Sequence, residues 1–177
     1  MGWSIAQRRL HWWVAGLVLF SAALGFVMVA LPFTALAAKF LGYQLHKSLG
    51  IIVFILVLWR LALRWRRGRP EAEGGWPAAA GHAALYALLL GMLVVGYLMA
   101  ASAPGAVETT IFLVIPVPRV IGPDAARFAV LQWVHFTGAV LLLTLIAGHV
   151  AMAAWHHRAG SPVLRRMWRG EPASSGG

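Results

Sequence analysis

The chain has 177 residues, of which 60% are hydrophobic and 11% charged, and its mean hydropathy is +0.76. A soluble domain carries about 25% charged residues, so a soluble globular enzyme is excluded. Fifteen Lys and Arg against five Asp and Glu give a net charge of +10, but the cations stand between long apolar runs, so the matching anionic partner is the lipid headgroup and not nucleic acid. Without cysteine there is no disulfide, thiolate nucleophile, zinc–thiolate site, iron–sulfur cluster or thioether-linked haem. The seven histidines are the main soft metal ligands that remain.

Four stretches, roughly 11–31, 45–64, 82–103 and 131–155, are long and apolar enough to cross a bilayer, which takes about 20 residues per helix. No stretch alternates apolar and polar residues over the length of a barrel strand, so the expected fold is all-α: an integral membrane four-helix bundle with helices at about 5–31, 45–66, 78–103 and 125–157, filling a single domain over 1–170. Ser4 is the candidate N-cap of helix 1, which stops near Pro32. Arg8 and Arg9 before an apolar run, with Ala35-Leu36-Ala37 beyond it, mimic a signal peptide, but the run exceeds the usual h-region. Helix 3 is expected to open after Pro77, and helix 4 after a loop containing Pro116, Pro118 and Pro123. The Gly- and Ser-rich stretch 171–177 is expected to be disordered.

Counting cations by loop orients the bundle. Arg8, Arg9, Arg60, Arg64, Arg66, Arg67, Arg69, Arg158, Arg165, Arg166 and Arg169 fall on one side, whereas only Lys39, Lys47, Arg119 and Arg127 fall on the other. The positive-inside rule then places both termini in the cytoplasm of a multi-pass inner-membrane protein.

Five histidines, His11, His46, His82, His135 and His149, lie within or at the edge of the spans, where ionisable side chains are costly and mark function. His135 and His149 are 14 residues apart on helix 4. That is about four turns, so both imidazoles project from one face at depths that differ by roughly 21 Å. Helix directions place His46 at the depth of His135, on the outer side, and His11 at the depth of His149, on the inner side. Two histidine pairs at two depths fit two bis-imidazole b-type haems; structural zinc would want four ligands at one depth. Gly50, Gly138 and Gly148 either admit a macrocycle to the backbone or serve ordinary helix packing. Arg60 and Arg64 either bind propionates or snorkel to headgroups. His82 either competes with His11 for the inner metal, lines a quinone pocket or caps the interface. His156 and His157 read as interfacial, and most of the nine Trp fall at span ends as an aromatic belt.

Over nearly its whole length the chain resembles the prokaryotic cytochrome b561 family. The resemblance rests on Arg9-Leu10-His11-Trp12, Gln44-Leu45-His46-Lys47-Ser48-Leu49-Gly50, Trp59-Arg60-Leu61-Ala62-Leu63-Arg64, Gly81-His82-Ala83-Ala84-Leu85-Tyr86, and His135 with His149 followed by His156-His157. It implies a di-haem, quinone-linked membrane cytochrome with axial pairs His11/His149 and His46/His135. Some members are similar to superoxide oxidases, which pass electrons from superoxide to ubiquinone. This is the activity expected here, with Lys47, beside His46, either steering superoxide or snorkelling to lipid. The alternative is an anchor and electron conduit between the quinone pool and a partner dehydrogenase or hydrogenase. A histidine-lined metal transporter is disfavoured, because all five acids lie outside the spans.

Overall fold

The structure is a computed structural model that describes residues 3–67, 75–105 and 108–169. Arg69 and the expected disordered tail at 171–177 lie outside the described residues. Four long helices dominate: α1 (Ile5–Ala30), α2 (Leu36–Arg67), α3 (Gly75–Ser102) and α4 (Ala125–Arg158), followed by a short α5 (Val163–Trp168). All four long helices have the length and composition to cross a membrane, and most of their apolar side chains face outward. A helix apolar all round has lipid for its solvent.

Local chemistry sets the helix ends. Ser4 caps α1 in a capping box: the Gln7 amide donates to Ser4 Oγ at 3.2 Å and the Ser4 amide to Gln7 Oε1 at 3.0 Å. At the other end, Leu31 and Pro32 are extended, and Lys39 Nζ folds back to donate to the carbonyls of Val29 and Leu31 at 3.2 and 2.8 Å. These are carbonyls that α1 cannot satisfy itself. After a 3₁₀ turn (Phe33–Ala35), α2 begins at Leu36 and not near 45. The expected helix over 45–66 started nine residues late, because the preceding segment, with Ala37, Ala38 and Leu41, is a good helix former and continues the helix. Likewise α3 opens at Gly75, ahead of Pro77, which sits in the first turn where its missing amide is not needed. Asp124 caps α4 by accepting from the Arg127 amide at 2.9 Å, a bond that holds the carboxyl below its ordinary range.

The connection between α3 and α4 contains a two-stranded hairpin, β1 (Thr110–Ile111) and β2 (Ile115–Pro116), paired antiparallel. Its turn places Phe112 and Leu113 at φ +47° and +64°, positions usually taken by Asn or Gly, and closes with Val114 N donating to Ile111 O at 3.0 Å. Two buried polar residues of α2, one turn apart, hold it in place. Ser48 Oγ accepts from the Phe112 amide at 2.9 Å, and Gln44 Nε2 donates to the Glu108 carbonyl at 3.0 Å.

α1 packs along α2 and α3 along α4, giving two helical hairpins. Leu10, Val14 and Val18 of α1 meet Val53 and Val57 of α2, with Leu142 of α4 completing the core. Between α1 and α4 the backbones approach within 8 Å only sparingly. The start of α1 and the end of α5 lie at one end of the bundle, joined by a bond from Arg8 to the Trp168 carbonyl; β1–β2 lies at the opposite end.

Candidate functional site

The seam between the two hairpins is lined by histidines at two levels. Near the β1–β2 end, His46 of α2 faces His135 of α4 with ring centroids 6.2 Å apart and planes at 85°. Near the terminal end, His11 of α1 faces His149 of α4 at 6.4 Å and 71°. His82 of α3 stands 5.3 Å from His149.

These separations have a chemical meaning. Two imidazoles on opposite sides of one metal, each at a metal–nitrogen distance of about 2.0–2.1 Å, have ring centroids roughly 6.3 Å apart. The 6.2 and 6.4 Å pairs match the spacing of imidazoles on opposite faces of one metal, whereas at 5.3 Å His82 and His149 are too close to stand on opposite faces of one.

The seats of the rings also fit. His46 Nδ1 lies 2.9 Å from the Ser21 carbonyl, so Nδ1 carries the proton and Nε2 keeps its lone pair for a metal. A β-carbon on Gly25, one turn beyond Ser21, would lie 3.3 Å from His46 Cε1. Across the seam, His135 leans on α3, where a β-carbon on Gly96 would lie 2.9 Å from its Cε1. Each hairpin thus uses a glycine on one helix to turn an imidazole of its other helix into the gap. His135 is buried against α3, with the Met92 carbonyl as its backbone hydrogen-bond acceptor there. The donor set and the ring spacing suit a metal-bearing cofactor held between paired imidazole nitrogens.

Other anticipated residues fall as follows. Arg60 is engaged by the protein, donating from Nε to Tyr86 Oη at 2.6 Å and from NH1 to the Gln7 carbonyl at 3.3 Å. Its guanidinium remains within electrostatic reach of His11 and His149, and Arg64 lies 5.7 Å over the Tyr86 ring. A β-carbon on Gly50 would make only ordinary contact with Leu93, at 3.9 Å. Gly138 packs against Met92 Sδ so closely that a β-carbon would overlap it, which suits close helix packing. Gly148, beside His149, has open space where a β-carbon would point. Lys47 is half-buried at the β1–β2 end and feels the charge of Arg119. Ser21, Gly25 and Gly96 went unnoticed in the sequence. The spacing of Ser21 and Gly25, small residues four apart, was the one available signal for a close interhelical approach.

Comparison with known proteins agrees with this arrangement. The family model for prokaryotic cytochrome b561 matches residues 2–170. Among curated proteins, cytochrome b561 homolog 2 of Escherichia coli (strain K12) is 30% identical over 166 residues, covering 88% of this chain and 84% of that protein. A membrane bundle whose seam holds paired imidazoles, matched almost end to end by one family model, leaves little choice: the chain belongs to the prokaryotic cytochrome b561 family, multi-pass membrane proteins that bind b-type haem and transfer electrons.

Proposed function

We propose that the chain is a superoxide:ubiquinone oxidoreductase of the bacterial inner membrane, with both termini in the cytoplasm. His46 with His135, and His11 with His149, would each hold one haem b through axial nitrogens, with Gly25 and Gly96 seating the first pair. When bound, the haems supply reversible one-electron chemistry. In the overall reaction two superoxide anions each give up one electron to become dioxygen, and one ubiquinone takes two electrons and two protons to become ubiquinol.

The observation that carries the superoxide half is the cationic setting of the β1–β2 end. Lys47 adjoins His46, stands half-buried and shares this end with Arg119. Cations beside a reactive edge raise the encounter rate of a small anion by about 10–10³, and salt screens the effect. Lys47 therefore steers superoxide. At the terminal end, His82, Arg60 and Arg64 supply hydrogen-bond donors for a quinone carbonyl.

A second reading, an electron conduit for a docked redox protein, draws on the hairpin tip, where Phe112, Leu113, Val114 and Ile115 are exposed. Rapid-mixing measurement of haem reduction separates the two. Superoxide is expected to reduce the haems quickly at low salt, several-fold more slowly in 0.5 M salt (where the Debye length falls to about 4 Å), and several-fold more slowly in Lys47→Gln with an unchanged spectrum. Ubiquinol, being neutral, responds little. Slow superoxide reduction that is indifferent to salt and to Lys47 overturns this reading in favour of the conduit.

A further inference from the structure

At the terminal end, α5 folds back across the start of α1. Trp12 Nε1 donates to the Met167 carbonyl and Arg8 to the Trp168 carbonyl, both at 3.1 Å. These acceptors lie in the last turn of α5, where a helix cannot satisfy its own carbonyls. Trp12 also meets Trp168 edge-on, with centroids 5.0 Å apart.

Two grooves flank this aromatic pair. One, of about 410 Å³, is lined by Trp12, His157, Leu164, Arg165, Trp168 and Arg169. The other, of about 390 Å³, is lined by Arg9, Trp12, Trp13 and Trp168. Their walls are aromatic and aliphatic carbon and their rims are guanidinium. Arg8 Nε is buried without a hydrogen-bond partner, and no carboxylate occurs at this end among the described residues. Among the described residues, donors therefore exceed acceptors here. Trp13 and Trp168 are 68% and 70% exposed, which suits indole at the depth of lipid headgroups.

We propose that the groove between α1 and α5 lined by Trp12, Leu164, Arg165, Trp168 and Arg169 binds an anionic phospholipid of the adjoining leaflet, its phosphodiester on Arg165 and Arg169 and its acyl chains along Trp12, Leu164 and Trp168. Charge and shape select this occupant. A zwitterionic lipid brings its own cation to a rim already cationic. A small soluble anion leaves the indoles and Leu164 uncovered, and a neutral isoprenoid makes no use of the arginines. The lipid also has structural work to do. A helix of six residues is far below the length that holds itself together, and a lipid seated between Trp12 of α1 and the arginines around α5 fastens the two elements. Trp12 passes that order inward, since its ring meets His11 edge-on at 5.2 Å.

The test is native mass spectrometry of the full-length protein released from micelles containing equal amounts of phosphatidylglycerol and phosphatidylcholine with matched chains. Phosphatidylglycerol is expected to be retained at least ten-fold over phosphatidylcholine. Each arginine near an anionic lipid contributes roughly five-fold in affinity, so Arg165→Gln/Arg169→Gln weakens retention about 25-fold. The charge-conserving Arg165→Lys/Arg169→Lys keeps most of it, which separates binding from folding. Arg66→Gln/Arg67→Gln removes the same charge from the end of α2 and leaves retention unchanged. Equal retention of the two lipids overturns the proposal. So does equal loss in both glutamine variants, which would mean diffuse attraction. Displacement of the lipid by millimolar inorganic phosphate, marking a bare anion site, or by ubiquinone, marking a quinone groove, overturns it as well.

Discussion

The imidazole of His135 rests on the backbone of Gly96, close enough that a β-carbon at position 96 would stand 2.9 Å from His135 Cε1. Real β-carbons do not approach so closely, so any side chain at 96 pushes the ring out of its seat. Overpacking of this kind costs about 1–3 kcal/mol where the neighbour is held by surrounding structure. His135 is so held, because it projects from the middle of α4 into the seam.

Gly96→Ala is therefore expected to shift or broaden the spectral component that depends on His46 and His135, and to lower haem content at that level. Gly25→Ala, with a clearance of 3.3 Å to His46, should give the same change in milder form. Gly16→Ala meets nothing within 4 Å and should leave the spectrum alone. Reduced-minus-oxidised spectra of the three variants decide the matter, and a spectrally silent Gly96→Ala would show that the ring is not seated by α3.

The sequence made the spans and the histidine levels legible because both depend on short-range regularities. Hydropathy is local, and two histidines 14 apart must share a helix face whatever the helix packs against. What stayed hidden depends on contacts between elements. Which glycines would seat the rings depends on helix rotation, so Gly50 and Gly138 stood out in the sequence while Gly25 and Gly96 did not. The β1–β2 hairpin was invisible because Phe112 and Leu113 carry no turn signal; bonds from Gln44 and Ser48, more than sixty residues earlier, impose the conformation. Arg60 read equally as a propionate donor or a snorkelling cation, and its bond to Tyr86 of α3 appears only once α2 and α3 are assembled.

Two metal-sized imidazole pairs predict two haems per chain. Pyridine haemochrome analysis of the purified protein should return a ratio near two. All of the haem should extract into acidified organic solvent, because the chain has no cysteine for a thioether bond. A ratio near one would remove one level of the site.

The pairing across the seam predicts which substitutions resemble each other. His46→Ala and His135→Ala should remove the same spectral component, and His11→Ala and His149→Ala the other. Each leaves an imidazole without its partner across 6.2 or 6.4 Å, so either member of a pair suffices to abolish bis-imidazole ligation at that level. Loss of the terminal-end component in His82→Ala, with retention in His11→Ala, would reassign the partner of His149.

His82 invites a last prediction, because its ring lies 5.3 Å from that of His149, too close to stand across a metal from it yet near enough to serve chemistry at the edge of a group held there. Arg60 and Arg64 are both within electrostatic reach of it, and both lie against the Tyr86 ring. A neutral quinone taking electrons there needs a donor to its carbonyl as negative charge develops, and a single such donor is worth up to about 10²–10³ in rate where water is excluded. His82 is only half-buried, so a loss nearer ten-fold is expected. His82→Phe keeps the ring volume and removes both nitrogens. Ubiquinone reduction, followed by rapid mixing of the reduced protein with a short-chain quinone, should slow by about that factor, while the haem content and spectrum stay as they were. His82→Gln, which restores a donor, should recover part of the rate. Full turnover in His82→Phe would leave His82 as a packing residue and move the quinone away from α3. A changed spectrum with normal turnover would instead assign the ring to the support of His149.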